Sequence, residues 1–147
     1  MDYKNLLLDH QALMTGRWLT DLANTSAFIF DQVHGLNWAG FYLYENDCLY
    51  LGPFQGKPAC TEIRMNRGVC GAAATQRKTI VVADVHQFKD HITCDPVSRS
   101  EVVIPMVVKE QLIGVMDIDS PQLARFSEQD AQFFEQIAKQ LLMSAPA

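Results

Sequence analysis

Apolar residues recur at helical spacing at both ends of the chain. Residues 2–14 and 17–33 each predict a helix in the N-terminal part. Residues 127–143 predict a third helix, because they begin with Ser-Glu-Gln-Asp, which matches the S-x-x-[DE] signature of a helix N-terminus. The apolar positions that follow that signature at a spacing of four are Phe133, Ile137 and Leu141.

The middle of the chain, about residues 34–126, consists mainly of short segments in which apolar and polar residues alternate, as they do in strands. Two of these segments flank a polar turn and predict an antiparallel hairpin. Pro105 lies inside another, where it predicts an edge position or a bulge, because proline has no N–H to donate. We therefore predict an α+β fold on an antiparallel sheet. The predicted strands cover residues 37–46, 49–54, 59–65 and 79–85, with two more within 101–120.

Two segments depart from this regular pattern. Residues 66–78 predict a short alanine-rich helix, and the glycines Gly68 and Gly71 at its start leave backbone N–H groups free to bind an anion. Residues 83–100 form an irregular loop that is longer than most connections in compact domains. This loop contains Cys94 within the polar run His-Ile-Thr-Cys-Asp. An exposed cysteine is unexpected there, since cysteine is among the most buried residue types, and it suggests a functional loop.

Length and composition indicate one globular domain over residues 1–147. Hydrophobic residues make up 48% and charged residues 20%, both ordinary for such a domain. The formal net charge of -5 argues against a nucleic-acid partner, which would favour a basic surface. We find neither a signal peptide nor an apolar run of about 20 residues. We therefore expect a cytoplasmic protein with no membrane partner.

The four cysteines are Cys48, Cys60, Cys70 and Cys94. In a reducing compartment a cysteine is usually a buried thiol, a metal ligand or a redox group. No C-x-x-C pair is present, so a closed zinc site is not predicted and we expect no metal. From the residues alone, a buried thiol and a redox role both stay open.

Seven motifs together resemble those of the free methionine-R-sulfoxide reductases, a single-domain enzyme branch of the GAF fold. They are NWAGFYL, LGPFQGKPAC, RGVCGAAA, DVHQF, HITCD, SEVVIP and GVMDIDS, and the match extends from about residue 20 to residue 142. The resemblance implies a single GAF domain, with a central six-stranded antiparallel sheet, helices on one side and ligand loops on the other. It implies reduction of the R epimer of free methionine sulfoxide, with protein-bound methionine sulfoxide excluded, and a homodimer.

The same resemblance implies roles for the cysteines. Cys94 matches the attacking cysteine of HITCD, Cys60 matches the resolving cysteine, and Cys70 is the alternative resolving cysteine or a relay. Attack on a sulfoxide leaves a cysteine sulfenic acid, which a second thiol converts to a disulfide that an external reductant resets. The implied reductant is thioredoxin with NADPH, and no cofactor is bound. Cys48 has no counterpart in the family, and we interpret it as structural or incidental.

The residues beside Cys94 leave its ionisation open. A free thiol has a pKa of about 8.5 and is mostly protonated at neutral pH. A protonated His91 would favour the thiolate, whereas Asp95 would oppose it. Both alternatives stand at the level of the sequence.

Three carboxyl residues, Glu101, Asp117 and Asp119, match family residues that surround the ligand. Asp117 and Asp119 share one face of a strand and Met116 and Ile118 the other, because side chains alternate along a strand. Buried carboxylates without a partner are unfavourable, so the group favours a cationic ligand. One of the three, kept protonated by its neighbours, could also deliver a proton to the sulfoxide oxygen.

The resemblance implies further substrate contacts. Trp38 and Tyr42 match an aromatic wall, and their spacing of four places them on one strand face that can enclose the methylsulfinyl group. The backbone amides of Gly68, Val69 and Cys70 are predicted to receive the substrate carboxylate at the helix start.

Two non-catalytic functions compete with this interpretation. A ligand-sensing GAF module usually lies in a longer chain beside an output domain, and this chain ends soon after its last predicted helix. A thiol redox switch would need the cysteines but not the three carboxyl residues. We therefore expect the reductase.

Overall fold

The alternating segments form six strands in the computed structural model, which describes residues 1–146. The strands are β1 (Trp38–Glu45), β2 (Cys48–Gly56), β3 (Glu62–Arg64), β4 (Ile80–Val82), β5 (Ser100–Val108) and β6 (Gln111–Ser120). They pair in the order β3-β2-β1-β6-β5-β4, and every pair is antiparallel. The predicted α+β fold on a six-stranded antiparallel sheet is confirmed.

Four α-helices cover the two faces of this sheet. They are α1 (Tyr3–Leu13), α2 (Trp18–Gln32), α3 (Gly68–Gln76) and α4 (Glu128–Leu142). The terminal helices α1, α2 and α4 share one apolar core with one face of the sheet, as predicted, whereas α3 packs on the opposite face. None of these helices, nor any other within residues 1–146, combines the length and the hydrophobicity needed to cross a membrane.

The alternation along β6 assigns its side chains to these two layers. Met116 and Ile118 are completely buried in the core under the terminal helices, whereas Asp117 and Asp119 line a cavity on the α3 side. The prediction that the two aspartates share one face is therefore confirmed. Because each fully buried aliphatic side chain contributes roughly 1.5–3 kcal/mol, the helical layer can stabilise a fold that carries unfavourable carboxyl groups on its other face.

Several predicted strands are shorter than their alternation suggested. Within 59–65 only Glu62–Arg64 pairs with β2, since the chain must then turn into α3. Within 79–85, β4 ends at Val82 because Asp84 accepts a hydrogen bond from the His86 N–H and starts a short 3₁₀ turn. Pro105 lies beyond the part of β5 that pairs with β4. At Pro105, β5 therefore has only β6 as a neighbouring strand in the described part of the chain, as the edge prediction required.

Two sets of polar contacts order the terminal helices, one within α4 and one between helices. The predicted capping box opens α4, since Ser127 Oγ accepts from the Asp130 N–H at 3.0 Å and Asp130 Oδ2 accepts from the Ser127 N–H at 2.9 Å. Deeper in the layer, His10 of α1 is completely buried, with Nδ1 2.7 Å from Gln140 Oε1 and Nε2 2.8 Å from Thr25 Oγ1. Because an amide oxygen only accepts, Nδ1 donates to Gln140 and Nε2 accepts from Thr25. Burial lowers the pKa of His10, which keeps this neutral form.

Asp21 is a buried carboxylate that joins three segments of the chain. It accepts hydrogen bonds from the N–H groups of Thr15 and Gly16 in the α1–α2 connection, at 2.9 Å each, and from the hydroxyl groups of Thr15 and Ser144. Burial alone raises the pKa of Asp21, but the hydrogen bonds from Ser144 and Thr15 outweigh it and bring the pKa to about 2. The charged form is therefore the one that the fold stabilises.

Replacing this carboxylate should destabilise the whole helical layer. We expect Asp21→Asn to lower the free energy of unfolding by roughly 2–3 kcal/mol, because hydrogen bonds to a charged acceptor are lost in the interior. Since the folded pKa of about 2 lies below the ordinary value of 3.8, the stabilisation is complete above about pH 4 and is lost as the pH falls towards 2. Urea unfolding of both proteins at several pH values tests this.

The matched control is Asp31→Asn, on the exposed surface of the same helix. It should change the free energy of unfolding by less than about 0.5 kcal/mol. Equal losses for the two variants at neutral pH, or a difference that grows as the solution is acidified, would contradict this account of Asp21.

Candidate active site

A small cavity lies between α3, the sheet and the irregular loop 83–100, which we call the Cys94 loop. Its volume is about 30 Å³, close to the space that one water molecule occupies in the liquid. The side chains around it are mostly polar. They include Tyr42, Arg67, Cys70, His91, Cys94, Asp95, Ser98, Glu101, Asp117 and Asp119.

A disulfide joins Cys60 and Cys94 at the edge of this cavity. Their Cα atoms are 5.4 Å apart although 34 residues separate them in sequence, and that Cα distance lies in the usual range for a disulfide. Cys60 precedes β3 and lies in the β2–β3 connection. Both residues are half-buried, so Cys94 is exposed only in part in this disulfide-bonded form. Cys48 and Cys70 are buried free thiols.

Tyr42 positions the Cys60 end of the disulfide. Its side chain is 1% exposed and its hydroxyl group donates to the Cys60 carbonyl oxygen at 2.9 Å. Burial raises the pKa of Tyr42, so the hydroxyl group keeps the proton that it donates. Trp38 does not line the cavity. It stacks between Tyr42 and Phe54, at ring-centroid distances of 5.9 Å and 5.2 Å, and so supports the aromatic wall from behind.

Two glycines allow α3 to begin at the cavity. Gly68 has a φ of +62°, which favours glycine, and a side chain there would also meet Ile92 of the Cys94 loop. A Cβ atom on Gly71 would lie 2.6 Å from the Arg64 carbonyl oxygen. The predicted short helix therefore presents Gly68, Val69 and Cys70 to the cavity.

The three predicted carboxyl residues meet at the base of the cavity. Glu101 of β5 pairs in register with Asp119 of β6, while Asp117 lies two residues before Asp119 on the same face. Carboxylate oxygens of Glu101 and Asp117 and the Cys70 Sγ all lie within 4.8 Å of one another. Glu101 and Asp117 are buried, at 7% and 6% exposed, and Asp119 is half-buried.

Burial and mutual repulsion favour the protonated forms of this group. Burial raises the pKa of Glu101, and the neighbouring Asp117 and Asp119 raise it further. Burial also raises the pKa of Asp119, and the charge of Asp117 raises it further. Burial raises the pKa of Asp117 as well, although hydrogen bonds from its neighbours lower it. Burial and then Asp117 raise the pKa of Cys70. The site can therefore supply protons, while Cys70 is held as a thiol.

Asn37, which sequence reasoning did not select, holds the Cys94 loop in place through Asp95 and Ser98 of that loop. Asn37 Nδ2, just before β1, donates to Asp95 Oδ2 at 3.1 Å and to Ser98 Oγ at 2.8 Å. Asp95 also accepts from the Val97 N–H at 3.0 Å. Little in the sequence indicated this role, since Asn37 precedes Trp38 in a motif whose aromatic residues predicted a substrate contact.

Two further residues at the cavity mouth were also missed. Arg67 Nε and Nη2 donate to the two carboxylate oxygens of Asp90, at 2.7 Å and 3.1 Å. The same carboxylate lies 3.4 Å from the Gly68 N–H, at the start of α3. No sequence pattern connects Arg67 with Asp90, because the Cys94 loop has no regular spacing.

His91 lines the cavity but is poorly suited to act as a cation. Burial lowers its pKa, and the nearby His86 lowers it further. His91 is therefore mainly neutral at neutral pH, which removes the electrostatic assistance to Cys94 that a protonated His91 would give.

Within residues 1–146, one group of side chains has ligand atoms close enough to hold a metal ion: Cys70, Glu101 and Asp117. A thiolate and two carboxylates can bind a divalent cation. The raised pKa values mean that such an ion would have to displace protons. The same protons suit the group equally well to donate hydrogen bonds to a polar ligand.

Comparison with known proteins gives consistent matches. Residues 16–144 match the family model of the GAF domain, which agrees with the expected fold. The chain is 50% identical over 141 residues to the free methionine-R-sulfoxide reductase of Escherichia coli K12, and the match covers 95% of this chain and 86% of that protein.

Solved structures match just as closely. The fRMsr of Staphylococcus aureus in its reduced form superposes with a TM-score of 0.94 at 44% identity, covering 97% of this chain and 94% of that one. The free methionine-R-sulfoxide reductase of Neisseria meningitidis, in complex with its substrate, superposes with a TM-score of 0.93 at 42% identity, covering 97% and 87%.

The raised pKa of Glu101 leads to a pH-dependent prediction. A group whose folded pKa lies above its unfolded pKa stabilises the fold fully below the unfolded value, and this stabilisation is lost as the pH rises. We therefore expect Glu101→Gln, which is neutral at all pH values, to match the wild type near pH 4. At pH 8 its free energy of unfolding should exceed that of the wild type by about 1 kcal/mol or more, a gain typical of stabilising substitutions at functional sites.

Urea midpoints of the disulfide-bonded proteins between pH 4 and pH 8 provide the measurement. Glu62→Gln, on the exposed side of β3, is the matched control and should follow the wild type throughout. If Glu101→Gln also follows the wild type at every pH, the carboxyl group is not held protonated by the fold.

Proposed function

The chain belongs to the free methionine-R-sulfoxide reductases, an enzyme branch of the GAF family, and from this premise we propose that it reduces free L-methionine-R-sulfoxide to L-methionine. It is an oxidoreductase that acts on sulfur. Free, rather than protein-bound, methionine sulfoxide is the substrate, and the R epimer is selected.

The observation that carries this proposal is a disulfide beside a group of carboxyl residues whose pKa values are raised by burial. Cys60 and Cys94 are joined at the cavity edge, and Glu101, Asp117 and Asp119 line the same cavity. Sulfoxide reduction needs both elements, since a thiol must take the oxygen from sulfur while a proton reaches that oxygen. A redox switch would need the disulfide alone, and a ligand sensor would need neither cysteine.

We assign the roles of the cysteines as follows. The Cys94 thiolate attacks the sulfoxide sulfur, and the protonated oxygen is transferred to Cys94. Methionine leaves, and Cys94 remains as a sulfenic acid. The Cys60 thiol then attacks the sulfenic sulfur, water is released, and the Cys60–Cys94 disulfide forms. Cys70 is a weaker candidate for the resolving role, because it is buried as a free thiol.

The substrate contacts follow from the lining of the cavity. A protonated Glu101 or Asp119 donates to the sulfoxide oxygen, and the carboxyl group of Asp117 accepts from the substrate ammonium. Tyr42, backed by Trp38, forms the aromatic wall beside the methylsulfinyl group. The amides of Gly68, Val69 and Cys70 face the substrate carboxylate at the start of α3.

An external dithiol must return the disulfide to two thiols, and we propose that thioredoxin with NADPH does so by thiol–disulfide exchange. The half-buried disulfide lies at an accessible edge of the cavity, and the cysteines carry all the electrons, so no bound cofactor is needed. The two free thiols, Cys48 and Cys70, suit a reducing compartment. On that ground we propose a cytoplasmic location.

We also propose a homodimer. Exposed apolar side chains of α1 and α2 provide a surface for a second copy: Leu8 is 58% exposed, Leu13 39% and Leu19 70%. Exposed apolar side chains favour association where they form a continuous patch. Light scattering that gives the mass of one chain at micromolar concentration would contradict the dimer.

The cysteine roles make a direct prediction for turnover. With thioredoxin, thioredoxin reductase and NADPH, the wild type should consume NADPH with the free R epimer, but not with the S epimer or a blocked methionine sulfoxide. Cys94→Ser should lose all turnover. Cys60→Ser should form about one methionine per chain and then stop, leaving a sulfenic acid on Cys94 that dimedone labels.

Cys48→Ser is the matched control and should turn over normally, because that thiol lies away from the cavity. Continued turnover by Cys94→Ser would move the nucleophile to another cysteine. Multiple turnovers by Cys60→Ser would make Cys70 the resolving residue.

The size of the cavity makes a second prediction. Ligand pockets usually measure about 300–1,000 Å³, whereas the disulfide-bonded cavity measures about 30 Å³. We therefore expect isothermal titration to detect binding of free methionine-R-sulfoxide to reduced Cys94→Ser, but not to the disulfide-bonded wild type. Equal affinities in the two forms would mean that the disulfide does not close the site.

A further inference from the structure

Acidic residues outnumber permanently charged cations around the cavity. Four carboxyl residues line it, and within residues 1–146 its lining contains one permanently charged cation, Arg67. The four are Asp95, Glu101, Asp117 and Asp119. A free amino acid brings its own carboxylate into this surrounding. Removing a carboxylate from water is unfavourable unless it is paired, so the ligand needs a compensating cation for that end.

Arg67 already holds a carboxylate in the geometry that an amino acid would use. Its guanidinium group donates two hydrogen bonds to Asp90, at 2.7 Å and 3.1 Å, and Asp90 Oδ2 also lies 3.4 Å from the Gly68 N–H. Paired N–H donors of this kind match a carboxylate closely. The guanidinium group and the start of α3 therefore form one carboxylate-binding position, which a side chain of the same protein fills.

The Arg67–Asp90 pair is easily exchanged. The two side chains are 56% and 44% exposed, and exposed ion pairs contribute at most about 1 kcal/mol. A substrate carboxylate could replace Asp90 with little change in the electrostatics of Arg67. Asp90 would then become free to move, and it lies four residues before Cys94 on the same loop.

The opposite end of an amino acid also has a prepared partner. Asp117 is 6% exposed, and its Oδ1 atom lacks a hydrogen-bond partner among the described residues. A buried acceptor without a donor is unfavourable, and it indicates a ligand that brings one. The substrate ammonium is such a donor. One cavity thus offers an acceptor for the ammonium and, at its mouth, a cation for the carboxylate.

We propose that Arg67 is the residue that recognises the α-carboxylate of the substrate, and that Asp90 occupies this position until the substrate displaces it. This inference rests on the proposed reductase function and adds to it the source of selectivity for a free amino acid. A peptide-bound residue has no α-carboxylate at this position and could not displace Asp90.

The test compares free L-methionine-R-sulfoxide with its carboxamide, which lacks the negative charge at that end. The wild type should prefer the free acid by at least about tenfold in kcat/KM. Arg67→Ala should raise KM for the acid by about tenfold to a hundredfold, the usual effect of losing a charged hydrogen bond. KM for the carboxamide and kcat for both substrates should change less than about twofold. Arg67→Lys should restore part of the preference.

Two more variants complete the experiment. Asp90→Asn should lower KM for the acid and leave the carboxamide unchanged, because Arg67 is then released. Arg77→Ala is the matched control, since Arg77 binds the Glu110 carbonyl oxygen in a different part of the surface, and both substrates should behave as with the wild type.

The outcomes separate this inference from the proposed function. Turnover by Arg67→Ala with the preference for the acid intact would overturn the role of Arg67. A higher KM for the acid in Asp90→Asn would overturn the displacement of Asp90. If the wild type reduces neither substrate, the proposed function fails and the inference fails with it.

Discussion

The unfavourable burial of three carboxyl groups is the constraint on which the site depends. Glu101, Asp117 and Asp119 are side by side because β5 and β6 pair in one particular register, and a slip of β6 by one residue would turn Asp117 and Asp119 to the opposite face. Isolated carboxylates could not remain charged in that position. Burial therefore raises the pKa of all three, and this favours the protonated carboxyl group that a departing oxygen needs.

The opposite face of the same strands compensates for this cost. Every second residue of β1, β5 and β6 enters the core beneath α1, α2 and α4, where residues such as Phe41, Met106 and Met116 are completely buried. Buried hydrogen bonds of Asp21 and His10 also stabilise that layer. Stability and chemistry are thus assigned to two sides of one sheet. Substitutions on the helical side should affect folding first, and substitutions on the α3 side should affect activity first.

Sequence could predict whatever depends on local periodicity. The alternation in β6 was sufficient to separate Asp117 and Asp119 from Met116 and Ile118, and the Ser127 capping box placed the start of α4. The lengths of β3 and β4 were overestimated, because alternation continues past the point at which a neighbouring strand ends. Pairing of Cys60 with Cys94 came from family resemblance, since 34 residues of chain separate the two.

The contacts of the Cys94 loop could not be predicted in that way. A loop has no period, so the positions of Asn37 and Arg67 relative to it are fixed by tertiary packing. Trp38 illustrates the same limit, because period-two spacing placed it on the same face as Tyr42 but could not reveal that it stacks between Tyr42 and Phe54 without lining the cavity.

The two ends of the disulfide are held very differently, and this asymmetry bears on how the site opens. The Cys60 carbonyl oxygen accepts a hydrogen bond from Tyr42. Tyr42 is a buried residue in the middle of β1, so the sheet fixes its position. The Cys94 loop is held by the Asn37 contacts and by the exposed Arg67–Asp90 pair. When the disulfide is reduced, the weaker set of contacts yields first. This asymmetry supports the proposal that Cys94 is the sulfur that moves between substrate and partner, while Cys60 resolves it from a fixed position.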